Sequence, residues 1–181
     1  MRLVILGGPG SGKGTQAEKL SAQFGIPAIS TGEILRSAVA AGSDLGQQVA
    51  ATLEKGELVS DRVMIDLIQA RLNEPDAAQG WILDGYPRTA FQAEELDFLL
   101  DAAGQRVDKA IWLEVPAAVL VVRSQNRGAI DDSPEAVKRR IETLLEVTVP
   151  MLDYYEHRQR LIRIDGNQSP DEVKRSILAQ L

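Results

Sequence analysis

Short apolar runs alternate along the chain with longer stretches in which apolar residues recur every three or four positions. The short runs have the length of β-strands and are apolar almost throughout; they span residues 2–6, 26–29, 81–83, 109–115 and 161–164. Strands of this kind, separated by helices, are typical of a parallel sheet that is covered on both faces. The pattern therefore predicts one α/β domain over residues 1–181, with about five strands.

The stretches with helical periodicity lie between these runs, at residues 13–24, 33–40, 45–55, 62–72, 90–100, 117–125, 134–156 and 170–181. The helix at 134–156 has a good start signal, with Asp132 or Ser133 as N-cap and Pro134 in the first turn, and Pro150 should kink it. Two segments look like insertions into the sheet framework. Residues 30–59 are helical with no strand, and residues 126–132 form a short polar turn.

The composition narrows the class of protein. The chain has 20 Lys and Arg against 26 Asp and Glu, and this acidic excess argues against binding to nucleic acid or to an anionic membrane. Residues 1–36 and 117–140 nevertheless each carry two more basic than acidic side chains. The absence of cysteine excludes disulfides and thiolate zinc sites. Since no apolar run reaches the ~18 residues of a membrane span and the start MRLVILGG is too short for a signal peptide, we expect a cytoplasmic protein.

A glycine-rich loop, GGPGSGKGT at residues 7–15, follows the first apolar run and precedes the first helical stretch. Glycines allow successive backbone N–H groups to point at a polyanion, the helix N-terminus adds its partial positive charge, and Lys13 supplies a full one. The spacing predicts a site for a nucleoside triphosphate. Gly14 stands where the strict pattern has Ser or Thr, which fits phosphate-loop proteins that do not seat Mg²⁺ as GTPases do.

Further motifs follow in order: ISTGEILR at 29–36, GELV at 56–59, LDGYPR at 83–88, Gln92, and RGAIDD at 127–132. Together with the phosphate loop they resemble the adenylate kinase family, whose members transfer a phosphoryl group from ATP to AMP. The resemblance covers nearly the whole chain, up to IDG at 164–166. It implies a doubly wound parallel sheet with helices on both faces, an AMP-binding excursion at residues 30–59 and a short lid at residues 126–132.

The resemblance also implies which residues form the site. Those that would hold ATP are Gly10, Ser11, Gly12, Lys13, Gly14, Thr15, Arg123, Arg127, Gly166 and Gln168. Those that would hold AMP are Thr31, Arg36, Glu57, Leu58, Val59, Gly85, Tyr86, Pro87, Arg88, Gln92 and Arg140. The residues expected to act on the transferring group are Lys13, Arg88, Arg123 and Arg140, and Gln92 is expected to bind the adenine edge. Arginine suits this chemistry because its planar fork grips phosphate oxygens with two hydrogen bonds and keeps its charge.

The resemblance implies Mg²⁺ as the cofactor. Asp84, at the end of the third apolar run, would hold it through water molecules, since Mg²⁺ keeps several waters and leans on one or two carboxylates plus phosphate oxygens. Longer family members carry an extra lid domain, sometimes with a metal-binding cysteine set, and this chain resembles the short-lid form without structural zinc. The implied partners are the small molecules ATP, AMP and ADP, and the implied oligomeric state is a monomer.

One position departs from the family pattern. Members usually have an arginine where this chain has Ala129, and an arginine that contacts a phosphoryl-transfer transition state can be worth about 10³-fold in rate. The departure leaves open a nucleotide-binding or sensor protein with impaired catalysis, compensation by a neighbouring arginine, or different donor and acceptor preferences. Turnover of an Ala129→Arg variant separates impairment from compensation: a large gain indicates an impaired native site, and no gain indicates compensation.

The closest alternative activity is phosphorylation of CMP or UMP, because pyrimidine monophosphate kinases share the phosphate loop and the GYPR-type turn. Thr31 favours AMP, since the adenylate-specific pattern is STG, as at residues 30–32, whereas the pyrimidine enzymes resemble SAG. A phosphate-loop ATPase coupled to a partner is a weaker alternative, because the sequence near the loop shows no evident water-positioning Gln.

Overall fold

The structure, a computed structural model, describes residues 1–124 and 130–181. Within this part of the chain, five strands form one all-parallel sheet in the order β2-β3-β1-β4-β5. They are β1 (Arg2–Leu6), β2 (Ala28–Ser30), β3 (Trp81–Asp84), β4 (Lys109–Glu114) and β5 (Leu161–Asp165). The predicted α/β fold with a parallel sheet is confirmed, and every strand boundary lies within about two residues of the run that predicted it.

Helices cover both faces of the sheet. Their bounds are α1 (Lys13–Phe24), α2 (Thr31–Ala40), α3 (Asp44–Glu54), α4 (Asp61–Leu72), α5 (Ala90–Asp101), α6 (Ala117–Ser124), α7 (Pro134–Thr143), α8 (Val149–His157) and α9 (Pro170–Leu178). A short 3₁₀ turn, Pro75–Ala77, precedes β3. Across the two described ranges, no helix combines the length and the apolar character that crossing a membrane requires.

Strand β1 lies in the centre of the sheet, and its side chains alternate between two hydrophobic clusters. Leu3 and Ile5 pack with residues of α1 and α9 on one face, whereas Val4 and Leu6 pack with residues of α2 to α8 on the other. All four side chains are at most 3% exposed. A strand buried on both faces needs an apolar residue at every position, which is why the sequence shows a continuous apolar run and not an alternating one.

The order of the strands reverses beside β1, which pairs with β3 on one side and with β4 on the other. The chain first moves from β1 towards β2 and β3, and later crosses to β4 and β5. Ligands of open α/β sheets bind outside the carboxyl ends of the strands at such a reversal. The loops that follow β1 and β3 therefore lie where a ligand is expected.

The helix predicted over 134–156 is divided into segments. Ser133 caps α7 by accepting a hydrogen bond from the Ala136 N–H at 3.1 Å, in agreement with the start signal. A π-helical turn, Leu144–Thr148, then separates α7 from α8. It lies just before Pro150, which has no N–H for the carbonyl four residues back. The irregularity expected from the proline thus occupies the turn that precedes it.

Residues 30–59 contain α2 and α3, and each helix starts at a serine N-cap. Ser30 Oγ accepts from the Glu33 N–H at 3.4 Å, and Ser43 Oγ accepts from the Gly46 N–H at 3.2 Å. The two helices pack closely because Gly46 has no side chain: a Cβ there would overlap the Ala38 carbonyl of α2. The division of the chain into an excursion and a lid stays a prediction.

The close contact at Gly46 predicts a stability change of unusual sign. Replacing a glycine inside a helix by alanine usually stabilises the protein by about 0.5–1 kcal/mol. We expect Gly46→Ala to lower the free energy of unfolding by about 1–3 kcal/mol instead, because α2 and α3 must move apart. Denaturant unfolding measures the difference.

Gly104→Ala is the control for this experiment. Gly104 has a φ of +66°, and among the described residues no atom lies within 4 Å of an added Cβ. The control should therefore lower the free energy of unfolding by only ~1 kcal/mol, through backbone strain at this positive φ. If Gly46→Ala proves more stable than the native protein, the close packing of α2 on α3 is wrong.

Candidate active site

The phosphate loop connects β1 to α1 and packs against α6. Gly10 and Gly12 have φ angles of +76° and +93°, which glycine adopts without strain. A Cβ at Gly10 would lie 2.9 Å from the Arg123 Cβ and 3.0 Å from the Leu120 carbonyl oxygen. Since α1 begins at Lys13, the N–H groups of its first turn border the loop. The glycine pattern thus folds into a concavity suited to an anion.

Four pockets adjoin one another along the carboxyl edge of the sheet, and we name each by its surroundings. The central pocket contains Lys13, Arg88 and Arg140, and the loop pocket contains Lys13, Asp84 and Arg123. The excursion pocket contains Thr31, Arg36, Arg88, Gln92 and Arg140. The β5 pocket contains Arg123, Gly166 and Gln168. Neighbouring pockets share Lys13, Arg88 or Arg123. They therefore form one cleft, with a pocket at each end and basic side chains in the middle.

The other predicted site residues are distributed along the same cleft. Glu57, Leu58 and Val59 line the excursion pocket, Gly85 and Pro87 the central pocket, Gly14 and Thr15 the loop pocket, and Gly10, Ser11 and Gly12 the β5 pocket. Tyr86 is 1% exposed, and its hydroxyl donates to the Gln92 carbonyl oxygen at 3.2 Å, so it packs behind the excursion pocket. Arg127 and Ala129 lie outside the described residues, as does most of the predicted lid.

Arg88 is held in place by contacts from three directions. Strand β3 ends in a turn at Gly85, which has a φ of +87°, and the Gly85 carbonyl accepts a hydrogen bond from Arg88 Nε at 2.9 Å. The Arg88 N–H donates to Gln92 Oε1 at 2.8 Å. Thr148, at the end of the π-helical turn, donates its hydroxyl to the Arg88 carbonyl at 3.1 Å. The main chain of Arg88 is thus fixed at the boundary of the central and excursion pockets.

Asp131 joins Arg36 and Arg140, two of the arginines to which the family resemblance gives a role at the phosphates. Its Oδ2 lies 2.8 Å from Arg140 Nη1, and its Oδ1 lies 3.8 Å from Arg36 Nη1. Arg140 Nη1 also donates to the main-chain oxygen of Asp131 at 3.2 Å and lies 3.6 Å from Asp132 Oδ1. Asp131 is 6% exposed. Its buried carboxylate offsets the repulsion between the two guanidinium groups.

Arg123 connects the loop pocket to the turn between β5 and α9. Its Nη1 donates to the Gly166 carbonyl and its Nη2 to Asn167 Oδ1, both at 3.2 Å. Asp165 shapes the same turn, because its carboxylate accepts from the Asn167 N–H at 2.8 Å and from Gln168 Nε2 at 3.1 Å. These two donors hold the pKa of the Asp165 carboxyl below its ordinary value. Arg123, Gly166 and Gln168 are therefore brought together, as expected of one binding site.

Gln92 lines the excursion pocket, at one end of the cleft, and is 2% exposed. Its Oε1 accepts from the Arg88 N–H, and its Nε2 donates to Asp61 Oδ1 at 2.7 Å. The Tyr86 hydroxyl lies behind it, and burial raises the pKa of that hydroxyl well above its ordinary value, with the negative charges of Asp61 and Glu95 adding to the shift. The phenol therefore stays protonated and serves as a hydrogen-bond donor.

Asp61, Asp131 and Thr148 belong to the site although no role was predicted for them. In the sequence, Asp61 could not be told apart from any other acidic residue in the first turn of a helix, where the helix dipole favours negative charge. Thr148 falls on the inner stripe of the helical pattern, four residues after Leu144, so periodicity indicates a buried face but not its partner. Asp131 lies within the RGAIDD motif, and that position is the one signal that could have marked it.

Asp84 lines the loop pocket together with Glu18 and Glu33. Its Oδ2 accepts from the Ser30 hydroxyl at 3.4 Å, and a Cβ at Gly14 would lie 3.7 Å from the same oxygen. In the described part of the chain, no group of three or more His, Cys, Asp or Glu side chains could hold a metal ion. A carboxylate such as that of Asp84, beside a phosphate site, fits Mg²⁺, which takes most of its ligands from water and phosphate oxygens.

Comparison with known proteins finds relatives that match over the full length of the chain. The family described as "Adenylate kinase" matches residues 5–160. A protein named "Adenylate kinase 2" from Nostoc sp. is 56% identical over 181 residues, which cover 100% of this chain and 98% of that protein. "Adenylate kinase 2" from Synechocystis sp. is 51% identical, with 100% of both chains covered. An "Adenylate kinase" from Stenotrophomonas maltophilia is 46% identical over 100% of this chain and 99% of that protein.

The ion pairs of Asp131 predict a stability difference that depends on phosphate. We expect Asp131→Asn to lower the free energy of unfolding by about 1–3 kcal/mol, because Arg36 and Arg140 lose their shared negative charge. Inorganic phosphate should offset part of this loss, since an anion bound at these arginines stabilises the variant more than the native protein. Denaturant unfolding in phosphate and in chloride, at equal ionic strength, measures the effect.

Glu142→Gln, on α7 with Arg140, is the matched control. Glu142 Oε1 lies 3.8 Å from Lys138 Nζ, and both side chains are exposed. Loss of such a pair should change stability by at most about 0.5 kcal/mol in either buffer. An Asp131→Asn variant that loses the same stability in phosphate as in chloride would show that Asp131 does not neutralise a phosphate-binding cluster.

Proposed function

The chain belongs to the adenylate kinase family, and from this premise we propose how its cleft transfers the terminal phosphoryl group of ATP to AMP, which yields two ADP. One observation carries the proposal: the cleft has a pocket at each end, and Lys13, Arg88 and Arg140 line its middle. A reaction between two nucleotides needs two base sites whose phosphate chains meet, and a cleft with a pocket at each end and cations between them supports this arrangement.

ATP would occupy the loop and β5 pockets. The N–H groups of residues 10–15 and the N-terminus of α1 would bind the β- and γ-phosphates, and Lys13 would neutralise them. Arg123 would lie along the phosphate chain, a role supported by its anchoring on the Gly166 carbonyl at 3.2 Å. The adenine would lie beside Gly166 and Gln168 in the β5 pocket. Arg127 is assigned to this set only because of its place in the RGAIDD motif.

AMP would occupy the excursion pocket, with its phosphate towards Arg36 and Arg88 and its adenine edge on Gln92. The pocket is polar at these places and apolar between them, where Leu35, Val59 and Met64 line it. Apolar walls with a few convergent polar groups are typical of small-molecule sites, because the walls bury the ligand and the polar groups orient it. Thr31 and the main chain of residues 57–59 would complete the contacts.

Transfer is a direct in-line displacement. An oxygen of the AMP phosphate attacks the γ-phosphorus of ATP while the bond to the β–γ bridging oxygen breaks, so ADP forms on both sides without a covalent enzyme intermediate. The negative charge of the transferring group is spread over its three other oxygens, and Lys13, Arg88 and Arg140 would stabilise it from the central pocket, with Arg123 on the loop side. The fixed partners of these cations support the proposal, because charges already in place need little reorganisation during the reaction.

The family generally uses Mg²⁺ with ATP, and Asp84 is the residue of this chain that would hold the ion through water. When bound, the ion supplies charge neutralisation at the β- and γ-phosphate oxygens. The Ser30 hydroxyl, 3.4 Å from Asp84 Oδ2, would keep the carboxylate turned towards the loop pocket.

The comparisons favour ATP and AMP as the substrates, and they give no support to a pyrimidine monophosphate kinase or to an impaired sensor protein. They leave the role of Ala129 untested, and the cytoplasmic location and the monomeric state stay predictions.

A coupled assay of ATP with AMP, CMP and UMP tests the function. We expect AMP to give the highest kcat/KM and ADP to form from both nucleotides in equal amounts. Equal or better turnover of CMP or UMP contradicts the assignment of AMP. ATP hydrolysis that does not depend on any monophosphate would indicate an ATPase instead.

The Lys13→Ala variant tests whether this activity depends on the phosphate loop. We expect kcat to fall by at least about 10²-fold, since Lys13 neutralises the phosphates in the transition state, while the fold is retained. Lys19→Ala is the matched control, because Lys19 is on the same helix and its ion pair with Asp171, at 2.7 Å, is exposed. The control should keep native turnover, and a Lys13→Ala variant that also keeps it would refute the phosphate-loop mechanism.

A further inference from the structure

Gln92 is fixed at its main chain as well as at its side chain. The Gln92 N–H donates to Thr89 Oγ1 at 3.1 Å, in the N-cap of α5, and the Gln92 carbonyl accepts from the Tyr86 hydroxyl at 3.2 Å. The side-chain amide is held between the Arg88 N–H, 2.8 Å from Oε1, and Asp61 Oδ1, 2.7 Å from Nε2. Both ends of this residue therefore have defined positions before a nucleotide binds.

The two partners of the amide are of opposite kinds. A peptide N–H, such as that of Arg88, can only donate a hydrogen bond, and an ionised carboxylate, such as that of Asp61, can only accept one. Turning the amide by 180° would place two donors together at Arg88 and two acceptors together at Asp61. The contacts thus select one orientation, with the oxygen towards Arg88 and the nitrogen towards α4.

Because the amide is fixed, it presents its free donor and its free acceptor to a ligand in fixed positions. Gln92 Nε2 keeps a second N–H and Oε1 keeps a second lone pair, and Gln92 lines the excursion pocket. A 6-aminopurine presents an acceptor at N1 and a donor at its amino group, which match the amide N–H and oxygen. A 6-oxopurine presents a donor at N1 and an acceptor at O6, which match the amide only when it is turned over.

We propose that Asp61 is a positioning residue that determines purine specificity: by fixing the orientation of the Gln92 amide, it makes the excursion pocket accept a 6-aminopurine monophosphate and reject a 6-oxopurine monophosphate. The proposal rests on the proposed function in placing the acceptor base at Gln92. A site built to hydrogen-bond one pattern rejects the reversed pattern strongly, because its buried polar groups then lose their partners.

The test compares AMP with inosine monophosphate, which differs from AMP in carrying the 6-oxo group and the proton on N1. The variants are Asp61→Asn and Asp61→Ala, and both remove the group that can only accept. We expect each to lower the ratio of kcat/KM for AMP to that for inosine monophosphate by about tenfold, mainly through a higher KM for AMP. The KM for ATP should stay at its native value.

Asp66→Asn is the matched control, because Asp66 is on the same helix and its pair with Arg62, at 3.3 Å, is exposed. It removes the same charge and should keep the native ratio. Asp61 variants that keep the native ratio overturn the proposal. Variants that lose the same factor on both acceptors overturn it as well, since that result indicates a structural role alone.

Equilibrium binding separates a failure of this proposal from a failure of the proposed function. Calorimetric titration of AMP and of inosine monophosphate into the native protein and the Asp61 variants measures the ratio of the two dissociation constants, which reports the same preference without turnover. A native protein that binds AMP but does not phosphorylate it contradicts the proposed function, and the binding ratio still tests Asp61. A native protein that phosphorylates AMP, with variants of unchanged ratio, contradicts the role of Asp61 alone.

Discussion

One electrostatic constraint organises the structure: a group of positively charged side chains must stay close together in a single cleft. Two unit charges 4 Å apart interact by about 4 kcal/mol near a protein surface, so such a group needs fixed partners. Main-chain carbonyls supply several of them: Gly8 for Lys13, Gly85 for Arg88 and Gly166 for Arg123. The buried carboxylate of Asp131 serves Arg36 and Arg140 together. The cations are thereby held in place by the protein itself, which is the condition that the proposed electrostatic catalysis requires.

The fold meets this constraint because carbonyl groups at the carboxyl edge of the sheet come close to the basic side chains. That approach depends on small residues: a Cβ at Gly85 would lie 2.7 Å from Thr31 Oγ1, and one at Gly10 would lie 2.9 Å from the Arg123 Cβ. The helix that carries Arg140 contributes in a different way, since its π-helical turn ends at Thr148, whose hydroxyl binds the Arg88 carbonyl. Local irregularities of the backbone thus help to position particular cations.

Local sequence signals predicted the helices and strands and indicated an anion site at the glycine-rich loop, whereas contacts between distant residues could not be predicted. The strands could be predicted because both faces of the sheet are covered, which makes each strand a continuous apolar run. The loop could be predicted because its glycines and Lys13 are contiguous in the sequence. Asp61 contacts Gln92 across 31 positions and Thr148 contacts Arg88 across 60, and no periodicity encodes such pairs. Pro150 predicted a helix irregularity, but its form, a π-helical turn on the preceding residues, depends on packing. The motif residues Arg127 and Ala129 lie outside the described residues, so their roles rest on sequence alone.

The central claim is that one cleft binds two nucleotides whose phosphate chains meet among the same fixed cations. Calorimetric titration of ADP into the native protein, in the presence of a chelator that removes Mg²⁺ so that ADP is not turned over, tests it directly, because ADP is the product at both ends of the cleft. The account predicts about two equivalents of ADP bound per chain, with both binding events weakened by added salt because the contacts are ionic. A single equivalent at saturation would contradict it, since the pockets at the two ends would then not both be nucleotide sites.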